Sequence, residues 1–142
     1  DLFIFGKGEE KANLKTLIEK HQLSKRVFLM GYTDDVYEYM KRADAFILSS
    51  LWEDPGFVLI EAAFNNTFII SSNCKNGPSE FLEHGKAGIL FENNENFALC
   101  KALENFTSQN FEAKAKKILA KKNCLKYSML RHHNVIKDIF LN

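Results

Sequence analysis

Two glutamates lie on either side of a turn in the stretch Ser49–Ala62, which reads SSLWEDPGFVLIEA. Glu53 and Glu61 are eight positions apart, and a Pro-Gly pair ending at Gly56 lies between them. The apolar residues after Gly56 predict a helix, so that one carboxylate precedes the helix and the other lies about one turn inside it. The first N–H groups of a helix lack partners within it and attract anions. The stretch therefore predicts a diphosphate site that is flanked by two carboxylates.

Glu61 is the one charged residue in the apolar segment Phe57–Phe64. A glutamate near the start of a helix also occurs simply because it interacts favourably with the helix dipole. Burying an unpaired carboxylate is costly, however, and long side chains of a helix lean toward its N-terminus. We therefore expect Glu61 to accept hydrogen bonds from a diol, such as a ribose, at the mouth of the helix. Glu53 would hold a second polyol, and Gly56 would leave room for a phosphate or a sugar.

The rest of the chain predicts the elements that would position this turn. Apolar runs alternate with helical patterns, which is typical of a parallel sheet covered by helices on both faces. We predict an α/β, Rossmann-like fold with about five strands and extra helices at the C-terminal end. In such folds the loops at the carboxyl ends of the strands bind ligands. The predicted strands are Asp1–Phe5, Arg26–Met30, Ala45–Leu48, Phe68–Ser71 and Gly88–Phe91. The predicted helices are Glu9–His21, Val36–Arg42, Phe57–Phe64, Ser79–Glu83, Asn96–Phe106, Phe111–Lys122 and Leu125–Phe140.

Two of these elements are expected to be buried because they are apolar nearly throughout. They are the strand Asp1–Phe5 and the helix Phe57–Phe64. Five lysines on the predicted helix Phe111–Lys122 are interpreted as a solvated helix face rather than as a contact with an anionic membrane.

The composition limits the classes of function. The 142 residues are 46% hydrophobic and 26% charged with a net charge of +1, which is typical of a single globular domain. The basic residues are scattered and do not form the cluster that would predict nucleic-acid binding. No apolar run reaches the length of about 20 residues that spans a membrane. Three widely spaced cysteines favour reduced thiols in a cytoplasmic protein. The four histidines form no cluster that predicts a metal site.

The spacing of Glu53 and Glu61, with Ala62 after them, matches the Glu-x(7)-Glu signature of a glycosyltransferase family. Five further blocks occur in that family's order: Leu2–Gly8, Val27–Tyr32, Ala43–Ser50, Asn76–Glu80 and Gly85–Leu90. On these motifs, residues 1–107 resemble the donor-binding domain of the GT-B glycosyltransferases, and specifically the large family four of retaining enzymes. Five ordered blocks are far more specific than any single one.

The resemblance implies a role for each residue of the turn. Glu61 would hold the ribose hydroxyls of a nucleotide sugar. Glu53 would be the catalytic residue that contacts hydroxyls of the transferred sugar. Backbone N–H groups would bind the donor at Gly56, Phe57 and Val58.

The resemblance covers two further residues, and the sequence differs from the common form of the family at one point. Gly31 and Tyr32 lie where the family borders the base, and Tyr32 would pack on it, although a buried tyrosine would give the same sequence. The common form of the family has Gly-Phe where Asp54 and Pro55 stand here. Asp-Pro after Trp52 resembles enzymes of polysaccharide and lipopolysaccharide synthesis.

The family also places an Arg and a Lys on an earlier strand–helix unit, where they neutralise the diphosphate leaving group. No equivalent pair occurs in this chain. We expect that unit, and an N-terminal acceptor-binding domain, to precede Asp1 in a longer parent enzyme. The chain itself would be one nucleotide-sugar-binding domain, with a core at residues 1–107 and C-terminal helices at residues 108–142. We expect this fragment to be inactive alone.

The implied function is transfer of a sugar from a UDP- or GDP-linked donor to a saccharide or lipid-linked acceptor, with retention and without a metal or another cofactor. The setting would be synthesis of cell-surface polysaccharide, such as lipopolysaccharide or capsule, in the cytoplasm. A peripheral contact of the parent enzyme with the inner face of the membrane stays open, as do the sugar, the base and the acceptor.

Three alternatives remain at this point. A nucleotide-sugar epimerase of the same architecture would need proton-transfer groups, for which the sequence offers His84 beside Glu83. A non-catalytic nucleotide-sugar-binding module would use the same residues without turnover. A flavodoxin-like signalling domain would not need a glutamate on each side of the turn.

Overall fold

Five parallel β-strands and seven α-helices make up the part of the chain that the structure describes. The structure is a computed structural model, and it describes residues 1–93, 95, 97–108 and 110–141. Contacts divide the chain into two compact units, Asp1–Glu38 and Tyr39–Asn142. The first unit contains β1 (Leu2–Phe5), α1 (Lys11–Lys20) and β2 (Val27–Gly31), and α2 (Val36–Arg42) runs across the division.

The remaining elements belong to the second unit. The strands there are β3 (Ala45–Leu48), β4 (Phe68–Ser72) and β5 (Ile89–Phe91). The helices are α3 (Phe57–Phe64), α4 (Pro78–Phe81), α5 (Ala98–Ser108), α6 (Asn110–Asn123) and α7 (Met129–Leu141), with a turn of 3₁₀ helix at Cys124–Tyr127.

The predicted fold class, α/β with parallel strands, is confirmed, and so are the extra helices at the C-terminal end. The strands pair as two sheets rather than as one sheet of about five. One sheet has the order β1-β2 and the other has the order β3-β4-β5. Each connection between paired neighbours passes through a helix, as parallel pairing requires.

The first sheet is more exposed than the sequence predicts. Leu2 and Phe3 of β1 are 41% and 46% exposed, so the expectation that this strand is buried is wrong. Among the described strands β1 pairs with β2 alone, and the ring of Phe3 stacks on the ring of Phe28, with centroids 5.1 Å apart. An apolar run marks the strand correctly, but burial depends on how many neighbours the strand has.

The core of the second unit is built around β4, all five residues of which are buried. Phe68 and Ile70 point to one face of the sheet and pack with Phe91 of β5. Ala98 and Ala102, one turn apart on α5, cover the same face. A strand that is buried on both faces is the arrangement that a continuous apolar run predicts.

Helix α3 is buried on one face only. Leu59, Ala62 and Ala63 are buried, because positions i, i+3 and i+4 share one face of a helix. Phe57 and Phe64 lie on the opposite face and are 63% and 68% exposed. The expectation that the helix is buried all round is therefore wrong at both of its ends.

Helix α6 and the 3₁₀ turn after it are tied to α3 and α4 by polar contacts. The buried side-chain amide of Asn123 donates to the carbonyl of Phe81 at 2.9 Å. The thiol of Cys124 donates to the carbonyl of Ile60 at 3.6 Å, and burial raises the pKa of this thiol. In the described part of the chain, no helix is long and apolar enough to cross a membrane.

We expect Leu59→Ala to lower the free energy of unfolding by about 2 to 5 kcal/mol, because it leaves a cavity beneath α3 where the side chain is fully buried. Leu130→Ala is the matched control, since Leu130 lies on α7 and is exposed. Urea unfolding of both variants, followed by circular dichroism, measures the difference. Equal losses in the two variants would show that α3 does not carry the core.

Candidate functional site

The turn before α3 holds Glu53 at the N-terminal end of the helix. Gly56 is buried, directly precedes α3 and has φ +79°, a left-handed conformation that favours glycine. A Cβ atom on Gly56 would lie 3.5 Å from Oε2 of Glu53 and 3.6 Å from its Cβ and Cγ. The Glu53 side chain therefore lies over the residue that directly precedes the helix, and it is only partly exposed.

The backbone at the same point offers donors for an anion. The N–H of Leu59 donates to the carbonyl of Gly56 at 2.9 Å, so the N–H groups of Phe57 and Val58 precede the hydrogen-bond ladder of the helix. No side chain at the cap position accepts a hydrogen bond, because that position is a glycine. The positive end of the helix dipole faces the turn. These features are the ones that an anion site requires, and the binding of an anion here stays a prediction.

Glu61 is the fifth residue of α3 and is half-buried. It shares a helix face with Phe57 and Phe64, the two exposed aromatic residues, rather than with the buried residues. Its environment is therefore more open than the apolar sequence around it suggests. The reach of its carboxylate toward the mouth of the helix stays a prediction.

The start of the turn is fixed by two residues that the sequence reasoning missed. The hydroxyl of Ser72 donates to the carbonyl of Ser50 at 2.6 Å, and the side-chain amide of Asn93 donates to the same carbonyl at 2.8 Å. Ser72 ends β4 and Asn93 follows β5. Polar residues at the carboxyl ends of predicted parallel strands are the signal that could have identified them.

Gly31 and Tyr32 belong to the first unit. Gly31 ends β2 with φ +73°, and its carbonyl accepts a hydrogen bond from the N–H of Gly6 at 2.8 Å. Tyr32 is exposed, its hydroxyl donates to Oδ1 of Asp34 at 2.8 Å, and Nζ of Lys7 lies 5.5 Å from the ring centroid. These contacts orient the ring, and the ring is exposed. The alternative that Tyr32 is a buried tyrosine is therefore wrong.

A cleft of about 670 Å³ lies beside the loop that follows β4. None of the residues predicted to bind the donor is among those that line it. The lining residues are Asn73, Cys74, Lys75, Asn76, Gly77, Ser79, Glu80, Glu83, His84 and Lys86.

Two titratable side chains that line this cleft, Glu83 and His84, have hydrogen-bond partners. Lys126 donates to Glu83 at 3.1 Å, and this hydrogen bond holds the pKa of Glu83 below its ordinary value. Nδ1 of His84 shares a hydrogen bond of 3.0 Å with the hydroxyl of Ser79. Burial and the charge of Glu80 raise the pKa of Tyr127.

In the described part of the chain, no three His, Cys, Asp or Glu side chains lie close enough together to hold a metal ion. The expectation that the reaction uses no metal stays a prediction.

Comparison with known families gives one match over most of the chain. The family described as "Glycosyl transferases group 1" matches residues 1–123. An uncharacterized glycosyltransferase of Methanocaldococcus jannaschii is 41% identical over 63% of this chain and 25% of its own length. The UDP-Gal:alpha-D-GlcNAc-diphosphoundecaprenol alpha-1,3-galactosyltransferase of Escherichia coli is 29% identical over 98% of this chain. The chain spans 36% of the length of that relative.

A solved structure has the same fold. The crystal structure of an S. aureus TarM mutant in complex with Fondaparinux, alpha-GlcNAc-glycerol and UDP has a TM-score of 0.81 and 28% sequence identity. The similarity covers 89% of this chain and 26% of the TarM chain.

We expect Gly56→Ala to destabilise the chain by about 1 kcal/mol, because a Cβ atom disfavours the left-handed backbone by about 1 to 2 kcal/mol. Gly8→Ala is the control: its Cβ would meet open space, and its φ lies outside the left-handed range. The control should be neutral or stabilising by about 0.4 to 1 kcal/mol. Thermal unfolding of both variants measures the contrast. A Gly56→Ala variant as stable as the control would mean that the turn does not hold this conformation.

Proposed function

The chain belongs to the group 1 glycosyl transferases, and we propose that it is the nucleotide-sugar-binding part of a longer retaining enzyme. The enzyme would transfer a sugar from a UDP- or GDP-linked donor to a saccharide or lipid-linked acceptor during synthesis of cell-surface polysaccharide. The observation that carries the proposal is the placement of Glu53 over Gly56, at the N-terminal end of α3. The extent of the domain, with its core at residues 1–107, remains part of the proposal.

The relatives support the proposed substrates. The E. coli relative is named for a UDP-linked galactose donor and a diphosphoundecaprenol acceptor, and the TarM structure is described as a complex with UDP. A nucleotide diphosphate suits the turn because the N–H groups of Phe57 and Val58 precede the hydrogen-bond ladder of α3 and would face an anion bound there. Uridine donors are thus favoured among relatives, while the sugar and the acceptor remain to be identified.

Each carboxylate has a distinct role in the proposal. Glu61 accepts hydrogen bonds from the ribose hydroxyls, and Glu53 accepts them from hydroxyls of the transferred sugar. A carboxylate is an acceptor only, so it recognises hydroxyl groups and repels phosphate oxygens. The two glutamates therefore fix the ends of the donor while the helix start between them receives the diphosphate. Gly31 and Tyr32 would border the base.

The proposed reaction breaks the bond between the anomeric carbon and the diphosphate oxygen. A bond from the acceptor hydroxyl oxygen forms on the same face, and the hydroxyl proton passes to the leaving diphosphate. Backbone donors at Gly56, Phe57 and Val58 stabilise the negative charge that develops there, which is often the largest catalytic term. No protein nucleophile and no metal is used. The basic pair expected in an earlier strand–helix unit would supply the remaining charge.

The epimerase alternative gains no support from the groups that it would use. His84 shares a hydrogen bond with Ser79, and Glu83 is paired with Lys126. In the proposal the parent enzyme works in the cytoplasm, and a peripheral contact with the inner face of the membrane stays open.

Glu61→Ala in the longer enzyme should weaken the binding of UDP or GDP by about 10-fold or more, because hydrogen bonds to a charged acceptor contribute about 1.5 to 3 kcal/mol. Isothermal titration calorimetry measures the dissociation constant. Glu104→Ala on α5, where the glutamate is exposed, is the matched control and should leave it unchanged. Nucleotide binding at wild-type strength by the Glu61 variant would refute the ribose role, and a wild-type enzyme that binds neither nucleotide at millimolar concentration would refute the transferase proposal.

Glu53→Ala should lower kcat by about 100-fold, a loss typical of removing one group that acts on the transition state. The dissociation constant for the nucleotide should change by less than about twofold, since in the proposal Glu53 contacts the sugar and not the nucleotide. Steady-state kinetics and calorimetry on the same preparation separate the two effects. A variant that loses nucleotide affinity and keeps kcat would reverse the assignment of the two glutamates.

A further inference from the structure

The loop that follows β4, residues 73–77, lies directly against the turn that carries Glu53. Trp52 and Lys75 form an isolated parallel β-bridge outside the named strands. The N–H of Glu53 donates to the carbonyl of Lys75 at 3.4 Å. The backbone of Glu53 is thus held by a neighbouring loop.

Gly77 brings the same loop against the other side of the turn. Its backbone has φ +129° and ψ −58°. A Cβ atom at this position would lie 2.9 Å from the carbonyl carbon of Pro55 and closer still to the carbonyl oxygen. Both neighbouring atoms are backbone, so they cannot move aside as the end of a flexible side chain could. Only glycine permits this approach of the two loops.

These contacts hold successive residues along the turn. Ser50 is held by Ser72 and Asn93, Trp52 and Glu53 are held by Lys75, and Pro55 is covered by Gly77. The Glu53 side chain then lies over Gly56, the last residue before the helix. A plain connection between β4 and α4 would need none of these contacts.

We propose that residues 73–77 form a clamp that positions Glu53, and that Gly77 is the positioning residue on which the clamp depends. The effect of the clamp on turnover rests on the proposed function, whereas its effect on the conformation of the turn does not. A displacement of about 1 Å in a group that orients a substrate can lower a rate by about 100-fold, so holding Glu53 in place has a direct catalytic consequence.

Trp52 reports on the clamp because it is the one tryptophan of the chain and stands next to Glu53. This chain is labelled with 5-fluorotryptophan, and the fluorine resonance is recorded for wild type, Gly77→Ala and Gly85→Ala. Gly85 is the matched control, because it also has a positive φ, at +91°, while its Cβ would meet open space. We expect the resonance to shift or broaden in Gly77→Ala and to stay in place in Gly85→Ala.

A second pair of variants covers the case in which Gly77→Ala does not fold, which circular dichroism would show. Lys75→Gly loosens the backbone of the clamp at the bridge without adding an atom, and Lys86→Gly is the control at another exposed lysine. We expect Lys75→Gly to broaden the Trp52 resonance and Lys86→Gly to leave it unchanged. An unchanged resonance in the folded clamp variants, or an equal change in their controls, overturns the proposal.

Turnover of the longer enzyme gives the catalytic readout. Gly77→Ala should lower kcat by about 10-fold to 100-fold and change the dissociation constant for the nucleotide by less than about twofold. Loss of nucleotide affinity with unchanged kcat would overturn a positioning role for Gly77. A shifted Trp52 resonance with unchanged kcat would uphold the clamp and overturn the role of Glu53 in turnover.

Discussion

The left-handed backbone of Gly56 is the constraint on which the arrangement of the two glutamates depends. With φ +79° it reverses the chain just before α3, so that the turn folds back over the start of the helix. The Glu53 side chain then lies against Gly56, where an added Cβ atom would be in van der Waals contact with it. Without this reversal the carboxylate and the first N–H groups of the helix would not face the same region. Gly56 thus provides the place for the carboxylate, and the loop at residues 73–77 holds the backbone of Glu53.

The rest of the second unit provides the rigidity that such a turn requires. Strand β4 is buried along its whole length, between strands on both sides and helices that pack on it. The loop that leaves β4 is therefore anchored at its start, and Ser72, the last residue of the strand, holds Ser50 directly. Functional loops of α/β proteins gain precision in this way, because a packed sheet defines where their first residues stand.

Several elements of the fold and the position of the turn could be predicted from the sequence. The bounds of α2, α3 and β3 were predicted to the residue, because each is a short apolar or periodic run between clear turn residues. The sequence also predicted a turn between Glu53 and the start of the helix. The structure has this turn and places the Glu53 side chain against Gly56. Exposure was harder to predict: Leu2, Phe3, Phe57 and Phe64 are exposed although their segments are apolar. Burial depends on neighbours distant in sequence, and so do the contacts of Gly77 with Pro55, which no local pattern encodes.

The charges at the turn indicate what the proposed site must receive from elsewhere. Two carboxylates beside a diphosphate repel it, and the helix dipole and a few N–H groups offset that repulsion only in part. The glutamates therefore favour a ligand that is rich in hydroxyl groups at both ends and anionic only in the middle. A nucleotide sugar has this distribution of groups, whereas inorganic phosphate has neither end and a nucleoside diphosphate lacks one of them. In the proposed enzyme, cations from outside residues 1–142 would complete the balance at the middle. Selectivity would then arise from the carboxylates and affinity from the added positive charge.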